Sequence, residues 1–274
     1  MSAPDAAPTL GALRQEIDGI DDAVHDLLMR RADIVQRVAG LTHAGKVPFR
    51  PGREADVISR LLARHTGPLP RYAIVRWWRE VFAAHIGIET AFTIAVCEPG
   101  GGQYAAAARE HFGSLTPLRL HPSPAQAIAD VSRGFATAAV LPVPVENEPV
   151  DAAWWLALLR GDEPGIHIVG RIPFWAARPE GSPTVEAFVV AAAPPDRSRH
   201  DRTLVGVTRN GVTRNGITRN GSRDPIALAD ATAIWRGSEG LLDVAGHLDA
   251  DDPRLTALGR AVILGCYAVP VGAA

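Results

Sequence analysis

Apolar residues recur at alternating steps of three and four along the first forty residues. The recurring positions are Leu10, Leu13, Ile17, Ile20, Val24, Leu27, Ile34, Val38 and Leu41. This heptad spacing predicts one amphipathic helix from Thr9 to about His43, roughly 50 Å long at 1.5 Å per residue. Because so long a helix needs a partner along its apolar face, the pattern also predicts a helical dimer.

One position of this apolar face is an arginine. Arg31 stands between Leu27 and Ile34, where the spacing calls for an apolar side chain. A buried arginine needs an anion, which a salt bridge within the protein or a bound ligand could supply, and a snorkelling side chain would avoid the burial altogether. Arg14 lies beside the same face, and its position alone indicates surface charge.

Two shorter helices follow the loop VPFRPG at residues 47–52. Arg53-Glu54 opens the first of them, and Gly67-Pro68 ends it. The second begins near Pro70 and carries an apolar stripe on which His85 and Glu89 follow at helical spacing. From the pattern alone, His85 is interpreted as a core histidine and Glu89 as a solvated carboxylate.

From Phe92 onward the pattern changes to short apolar strands and alanine-rich helices. FTIAV, EPGGGQ and YAAAAREHFG give strand, glycine loop and helix, which can cradle an anion, although three glycines alone are weak evidence. Near the end, GVTRN GVTRN GITRN repeats with a period of five that fits no solenoid. The Asn-Gly steps favour turns, so the repeat is interpreted as an expanded loop.

Composition limits the classes of partner. A net charge of −2 gives no broad basic surface, so no nucleic-acid partner is predicted. The start MSAPDAAPTL lacks the features of a signal peptide and no apolar run approaches 18 residues, so a cytoplasmic protein without membrane contact is expected. Cys97 and Cys266 lie far apart without metal-ligand spacing, so neither a metal nor a cofactor is predicted.

The pattern LRQEID, DLLMRRADIV, PFRPGRE and IVRWWREVFAAHIGIE resembles the all-helical chorismate mutases over residues 10–89. The resemblance implies that each active site lies inside a helical homodimer and that the substrate is chorismate. It implies that Arg14 crosses to the partner's site, and that Arg31 binds a substrate carboxylate within its own protomer.

The same resemblance implies roles for residues of the two shorter helices. Arg53 and Glu54 match the Arg-Glu pair whose glutamate meets the substrate hydroxyl. Glu89 falls where the family has a Gln or Glu facing the ether oxygen, and His85 falls where a serine often sits. To donate a hydrogen bond to that oxygen, Glu89 would have to be protonated, with a pKa raised by burial.

The family's ether-facing lysine aligns with Thr42, which carries no charge. Lys46, the single lysine of the chain, lies four residues further on. It is therefore a candidate to supply the missing cation from just beyond the helix end. Two alternatives stay open, namely that Lys46 is a solvated loop residue, or that the helix breaks early and shifts the register.

Residues 92 to about 195 resemble prephenate dehydratase in the order of their motifs, but the chemical positions differ. The glycine loop reads Gly101, Gly102, Gln103 and Tyr104, Glu148 follows Glu146-Asn147 where a serine is expected, and Glu186-Ala187-Phe188 replaces Thr-Arg-Phe. Only ten residues separate Phe174 from Val185, too few for the second lobe of that enzyme. The segment is therefore interpreted as a one-lobed remnant that serves structure or assembly.

The last segment, with DRTLVGV, ATAIW and ILGCYAVPV, is similar to the ACT regulatory domain but lacks its Gly-Ala-Leu motif. The expected organisation is an all-α mutase domain of three helices at 1–90, a truncated α/β dehydratase-like domain at 91–197, and an α+β ACT-like domain at 198–274. The expected function is chorismate mutase. A catalytically inactive regulatory or scaffold protein is the alternative, and a bifunctional mutase-dehydratase a second one.

Overall fold

The computed structural model describes residues 9–41, 49–208, 212–213, 216–219, 222–226, 231–256, 258 and 260–272. The chain forms two compact units, residues 1–48 and 49–274. Its helices are α1 Leu10–Leu41, α2 Pro51–Arg64, α3 Arg71–Glu89, α4 Gln103–Phe112, α5 Pro124–Ser132, α6 Trp155–Arg160 and α7 Pro253–Thr256. Among these described helices, none is both long and apolar enough to cross a membrane.

The first unit contains α1, which confirms the long helix predicted from the heptad spacing. None of its residues is buried, and its apolar side chains are largely exposed, from Leu13 at 42% to Leu41 at 80%. The face that the sequence predicts to be apolar is therefore available to a partner. The dimer itself stays a prediction.

The second unit begins with α2 and α3, which pack against the α/β part of the same unit. A cluster of buried side chains joins them: Ala55, Ile58, Leu62, Val75, Phe82 and Phe174, with Trp175, Ala268 and Val271 partly buried against it. These two helices thus share a core with residues that lie more than eighty positions further along the chain.

A nine-stranded mixed sheet forms the centre of the α/β part of this unit. Its strands, in the order β10-β11-β6-β12-β4-β5-β3-β1-β2, are Thr232–Arg236, Glu239–Ala245, Asp201–Thr208, Ala261–Ala268, His167–Ile172, Ala187–Ala191, Ala138–Pro142, Ile94–Cys97 and Leu118–His121. Strand β1 is parallel to β2 and β3, whereas β5 is antiparallel to its neighbours β3 and β4. The N-terminal helices followed by a mixed α/β sheet confirm the broad fold class.

The sheet runs without a break through both segments that the sequence separates at residue 197. The junction is narrow, since β12 pairs with β4 through Gly265 and Ile168 alone. Gly265 has a φ of +150°, and a Cβ built there would lie 2.0 Å from the carbonyl oxygen of Ile168. Only glycine permits this approach. The predicted domain boundaries at 90/91 and 197/198 stay predictions.

Alternate residues of the strands point to opposite faces of the sheet, as the period of two requires. Ala95 and Cys97 join a core cluster that contains residues of α5 and α6. Ile94 and Val96 join a second cluster that contains residues of α4 and also Ile86 of α3. The sheet is thus covered by helices on both faces.

One connection matches its sequence interpretation, and a second forms strands where a loop was expected. The segment 173–186 between β4 and β5 holds no helix or strand apart from a single bridge, Trp175 to Val271, as its short length predicts. The tandem repeat at 206–220 contains β7 Val212–Thr213 and β8 Gly216–Arg219. With β9 Ser222–Ile226, which follows the repeat, these strands form a separate three-stranded sheet.

Candidate active site

The start of α2 is held by a carboxylate from a distant part of the chain. Asp196 accepts hydrogen bonds from Arg50 Nη2 at 2.9 Å and from the backbone N–H of Arg53 at 3.0 Å. The first N–H groups of a helix have no partner within the helix, so the Asp196 carboxylate stabilises this end. The side chain of Arg53 is exposed, and Glu54, the next residue, is buried.

Glu54 forms a buried salt bridge with Arg79 of α3. Arg79 Nη1 donates to Glu54 Oε2 at 2.8 Å, and Arg79 is only 4% exposed. Its guanidinium also lies 5.2 Å from the ring centre of Phe174. Burial lowers the pKa of Arg79 to about 10, an effect that the Glu54 carboxylate partly offsets. The salt bridge fixes the position of the Glu54 side chain.

Sequence reasoning missed Arg79, although the signal was present. Val75, Arg79, Phe82 and Ile86 follow helical spacing, and all four are buried. Arg79 therefore occupies an apolar position of α3, as Arg31 does in α1. A charged residue at an apolar helical position is the signal that identifies it.

The far end of α3 carries His85 and Glu89, one helical turn apart. His85 is buried, and its Nδ1–H donates to the carbonyl oxygen of Val81 within the helix. Glu89 is the last residue of α3 and is exposed, yet partial desolvation raises the pKa of its carboxyl group. This is the direction that a hydrogen-bond donor at this position requires.

The structure places Arg53, Glu54, His85 and Glu89 on α2 and α3 of the second unit, and Arg14 and Arg31 on α1. Arg14 is exposed, and Arg31 is half-buried. Lys46 and Thr42 lie outside the described residues. The two α1 arginines are 17 positions apart, about 25 Å along the helix axis at 1.5 Å per residue.

A cavity of about 440 Å³ lies between α3, α4 and the segment 173–183. Arg76, Arg79, Arg109 and Arg178 line it together with His111. Arg178 pairs with Glu110 at 3.2 Å, and Arg109 donates to the carbonyl oxygen of Ser114 at 3.0 Å. Together with Arg79, which is paired with Glu54, three of these four arginines bond to groups of the protein itself.

Glu148 and Glu186, at positions that depart from the dehydratase pattern, and Glu98, beside the glycine loop, make internal contacts. Glu98 accepts the backbone N–H groups of Gly100 at 3.2 Å and Ala105 at 3.0 Å, so its carboxylate occupies the glycine loop that could have held an anion. Glu148 is buried and accepts the indole N–H of Trp155 at 3.0 Å. Glu186 pairs with Arg171 at 2.9 Å. Each of these three carboxylates is thus bonded to groups of the protein itself.

Comparison with known proteins identifies the class of the N-terminal region. Residues 13–90 match the family Chorismate mutase type II, so this region carries a chorismate mutase domain. The chain is also similar to bifunctional chorismate mutase/prephenate dehydratases. It is 34% identical to that of Stutzerimonas stutzeri over 149 residues, which cover 52% of this chain and 40% of the relative.

The corresponding protein of Pseudomonas aeruginosa is 34% identical over 146 residues, 50% of this chain and 39% of the relative. The matches thus span about two fifths of the length of these relatives. Because each exceeds the 90 residues of the predicted helical region, the similarity continues into the α/β part. Prephenate dehydratase from Streptococcus mutans aligns in structure with a TM-score of 0.43 and 17% identity, over 65% of this chain and 98% of that one.

Proposed function

We propose that this chain is a chorismate mutase that converts chorismate to prephenate in aromatic amino acid biosynthesis. The observation that carries the proposal is the match of residues 13–90 to the type II mutase family. The position of Glu54, the raised pKa of Glu89 and the exposed apolar face of α1 support it.

The reaction is a pericyclic rearrangement, which needs no nucleophile and no obligatory proton transfer. Catalysis therefore consists of holding the reactive conformer and stabilising the charge that develops on the ether oxygen as the C–O bond breaks. In our proposal Arg14 and Arg31 bind the two carboxylates, since arginine pairs with a carboxylate through two parallel hydrogen bonds.

The same two arginines favour a homodimer. A separation of about 25 Å along one helix is too long for both to reach a single small substrate. We therefore propose that Arg14 acts in the partner's site and Arg31 in its own, within a dimer formed through α1. Association would also bury the exposed apolar face of this helix.

The remaining proposed contacts come from α2, α3 and the segment between α1 and α2. Glu54, positioned by its salt bridge with Arg79, accepts a hydrogen bond from the substrate hydroxyl. Arg53 and Lys46 supply positive charge, and His85 supports the pocket wall. Protonated Glu89 donates to the ether oxygen, which its raised pKa favours.

We propose that the α/β region, including its ACT-like part, has lost dehydratase chemistry and serves structure. The internal contacts of Glu98, Glu148 and Glu186 support this. The contacts of α2 and α3 with Phe174 and Val271 give the region a role, since they pack both helices against the α/β part.

One assay on the purified chain separates the candidate functions. Loss of chorismate is followed by absorbance, and the product is then acidified, which converts prephenate to phenylpyruvate. A mutase yields phenylpyruvate only after acidification, a bifunctional enzyme yields it before, and an inactive scaffold leaves chorismate unchanged.

The same assay tests the role of Arg31. Arg31→Ala is expected to lower kcat/KM by about 10²-fold or more, the scale for removing a charged group that contacts the reacting molecule. Arg30→Ala is the matched control, because Arg30 is the adjacent, exposed residue of α1. Equal activity of the two variants would remove Arg31 from the proposed site.

A further inference from the structure

Three neighbouring strands bring a carboxylate, an imidazole and a thiol together at one end of the sheet. Asp201 is the first residue of β6, His247 follows the end of β11, and Cys266 lies in β12, while β6 lies between the other two strands. One carboxylate oxygen, one imidazole nitrogen and the thiol sulfur all lie within 4.8 Å of one another.

The imidazole faces both other groups with the same nitrogen. His247 Nδ1 lies 3.3 Å from Cys266 Sγ and 3.8 Å from Asp201 Oδ2. With Asp201 as the acid, a catalytic relay would use one ring nitrogen for Asp201 and the other for the thiol. Here the three atoms converge on a common point instead, which is the arrangement of metal ligands.

The spacing of these atoms is close to that of a tetrahedral zinc site. With Zn–S near 2.3 Å and Zn–N or Zn–O near 2.1 Å, neighbouring ligand atoms lie roughly 3.3–3.6 Å apart. The two distances from His247 Nδ1, 3.3 and 3.8 Å, lie at this scale. Small side-chain adjustments would suffice to place one cation between the three ligands.

A second carboxylate is positioned to orient the imidazole. His247 Nε2 lies 3.5 Å from Asp249 Oδ1, and Asp249 is itself paired with Arg197 at 2.7 Å. A carboxylate near the distal N–H favours the tautomer that leaves the Nδ1 lone pair for a cation, as outer-shell carboxylates of metal-bound histidines do. This contact gives the cluster an outer shell as well as three ligands.

The backbone around the cluster is held by its own hydrogen bonds. Thr203 Oγ1 donates to the carbonyl oxygen of Gly246 at 2.8 Å and accepts the N–H of Leu248 at 3.0 Å. Ser198 donates to the Asp201 carboxylate through both its N–H and its hydroxyl. The turn that carries His247 and the carboxylate of Asp201 are thus already oriented.

The three side chains differ in exposure, and only that of His247 reaches the solvent to an appreciable extent. Cys266 is 2% exposed, and the side chains of Asp201 and His247 are 2% and 21% exposed. A cation could therefore enter past His247, with water as its fourth ligand. A thiolate, an imidazole and a carboxylate together select borderline-soft cations over Mg²⁺ and Ca²⁺.

We propose that Asp201, His247 and Cys266 form a binding site for one Zn²⁺ ion. The site has a structural role, because the segment that ends at Asp201 also holds the start of α2. Asp196 binds Arg50 and the N–H of Arg53, and the N–H of Arg199 donates to Asp56 at 3.0 Å. Bound zinc would join this segment to β11 and β12.

The test titrates the full-length chain, freed of metal with a chelator, with Co²⁺ and then with Zn²⁺. One equivalent of Co²⁺ is expected to give a thiolate-to-metal charge-transfer band and the visible bands of a tetrahedral ion. Added Zn²⁺ should displace Co²⁺ and so abolish both sets of bands. Zinc should also raise the melting temperature, because it binds the folded state alone. This spectrum reports thiolate ligation in the wild-type chain without any substitution.

Variants then assign the ligands. Cys266→Ser should abolish the charge-transfer band, and His247→Ala should weaken Zn²⁺ binding by roughly 10²-fold or more, whereas Asp249→Asn should weaken it by about 10-fold. Cys97→Ser and His200→Ala are matched controls, since Cys97 is the other buried cysteine and His200 is an exposed histidine near the site. Absence of the thiolate band in the wild type, or its loss in Cys97→Ser, would overturn the proposal.

Discussion

At the scale of single residues, Lys46 is the most informative position. It is the one lysine among 28 lysine and arginine residues, and it lies four residues after the position at which Thr42 replaces the family's lysine. If Lys46 supplies the missing cation, Lys46→Ala should lower kcat/KM by about 10²-fold or more. Thr42→Lys in that background should restore part of the activity. An unchanged kcat/KM in Lys46→Ala would assign the stabilisation of the charge that develops on the ether oxygen to Arg53 or protonated Glu89.

His111 makes the stability of the second unit depend on pH. It is 9% exposed, and burial, followed by the nearby Arg79 charge, lowers its pKa well below 6.5. The folded chain therefore keeps His111 neutral, whereas the unfolded chain takes up a proton as the pH falls through 6.5. Stability must fall in that window, by up to about 1.4 kcal/mol between pH 7.5 and 5.5.

Urea unfolding at these two pH values measures this effect. The wild type should lose more stability on acidification than His111→Gln, which stays neutral in both states. The exposed His200 provides the matched substitution, and His200→Gln should keep the wild-type dependence. Equal pH dependence in all three chains would show that His111 is not the group responsible.

Arg31 and Arg79 show how much the sequence pattern predicts about a charged residue on an apolar helix face. A charged residue at an apolar position of a helix indicates a required anion, and for Arg79 the structure supplies it as Glu54. Sequence pattern gives the helical face of such a residue, because the period of 3.6 is local. It cannot give the partner, because Glu54 lies 25 positions away on another helix.

At the scale of elements, the contact between α2 and the segment at 196–197 depends on Gly52. A Cβ built at Gly52 would lie 2.3 Å from the carbonyl oxygen of Asp196, a backbone atom that cannot move alone. Gly52→Ala should therefore destabilise the chain by about 1–3 kcal/mol, the range for overpacking. Gly87→Ala in α3 is the matched control, since nothing lies within 4 Å of its added Cβ.

The control should shift stability in the opposite direction. Alanine is favoured over glycine within a helix, so Gly87→Ala is expected to stabilise the chain by about 0.5–1 kcal/mol. Chemical unfolding of both variants gives the comparison. Similar stabilities for Gly52→Ala and Gly87→Ala would mean that α2 does not pack closely against Asp196.

Helix positions followed from the sequence more readily than strand pairing did. The predicted long helix from Thr9 corresponds to α1, and the strand expected at 92–96 appears as Ile94–Cys97. The pairing of β12 with β4 joins residues almost a hundred positions apart, and neither strand carries a local signal for it. The proposed zinc ligands were missed for the same reason, because they lie in or just after three different strands and have no short spacing in the sequence.

At the scale of the whole molecule, the family match and the packing assign α2 and α3 to different parts of the chain. The family match assigns them to a mutase domain at residues 13–90, whereas their buried face packs against Phe174, Trp175 and Val271 of the α/β part. Sequence alone predicts that residues 1–90 suffice for catalysis, since every implied substrate contact lies there. The shared core adds a requirement, because a fragment ending at residue 90 would expose that face to water.

We therefore expect the fragment 1–90 to dimerise through α1 but to lose activity and stability relative to the full chain. Its kcat/KM should fall by at least about 10-fold, because Arg79, the salt-bridge partner of Glu54, loses the Phe174 ring that lies against its guanidinium. In the full chain, Phe174→Ala should reproduce part of the loss and cost about 3–5 kcal/mol of stability. Sedimentation measures whether the fragment is a dimer, and the chorismate assay gives its kcat/KM. A dimeric fragment with full activity would show that α2 and α3 fold correctly without the sheet, and that the packing seen here serves the α/β part alone.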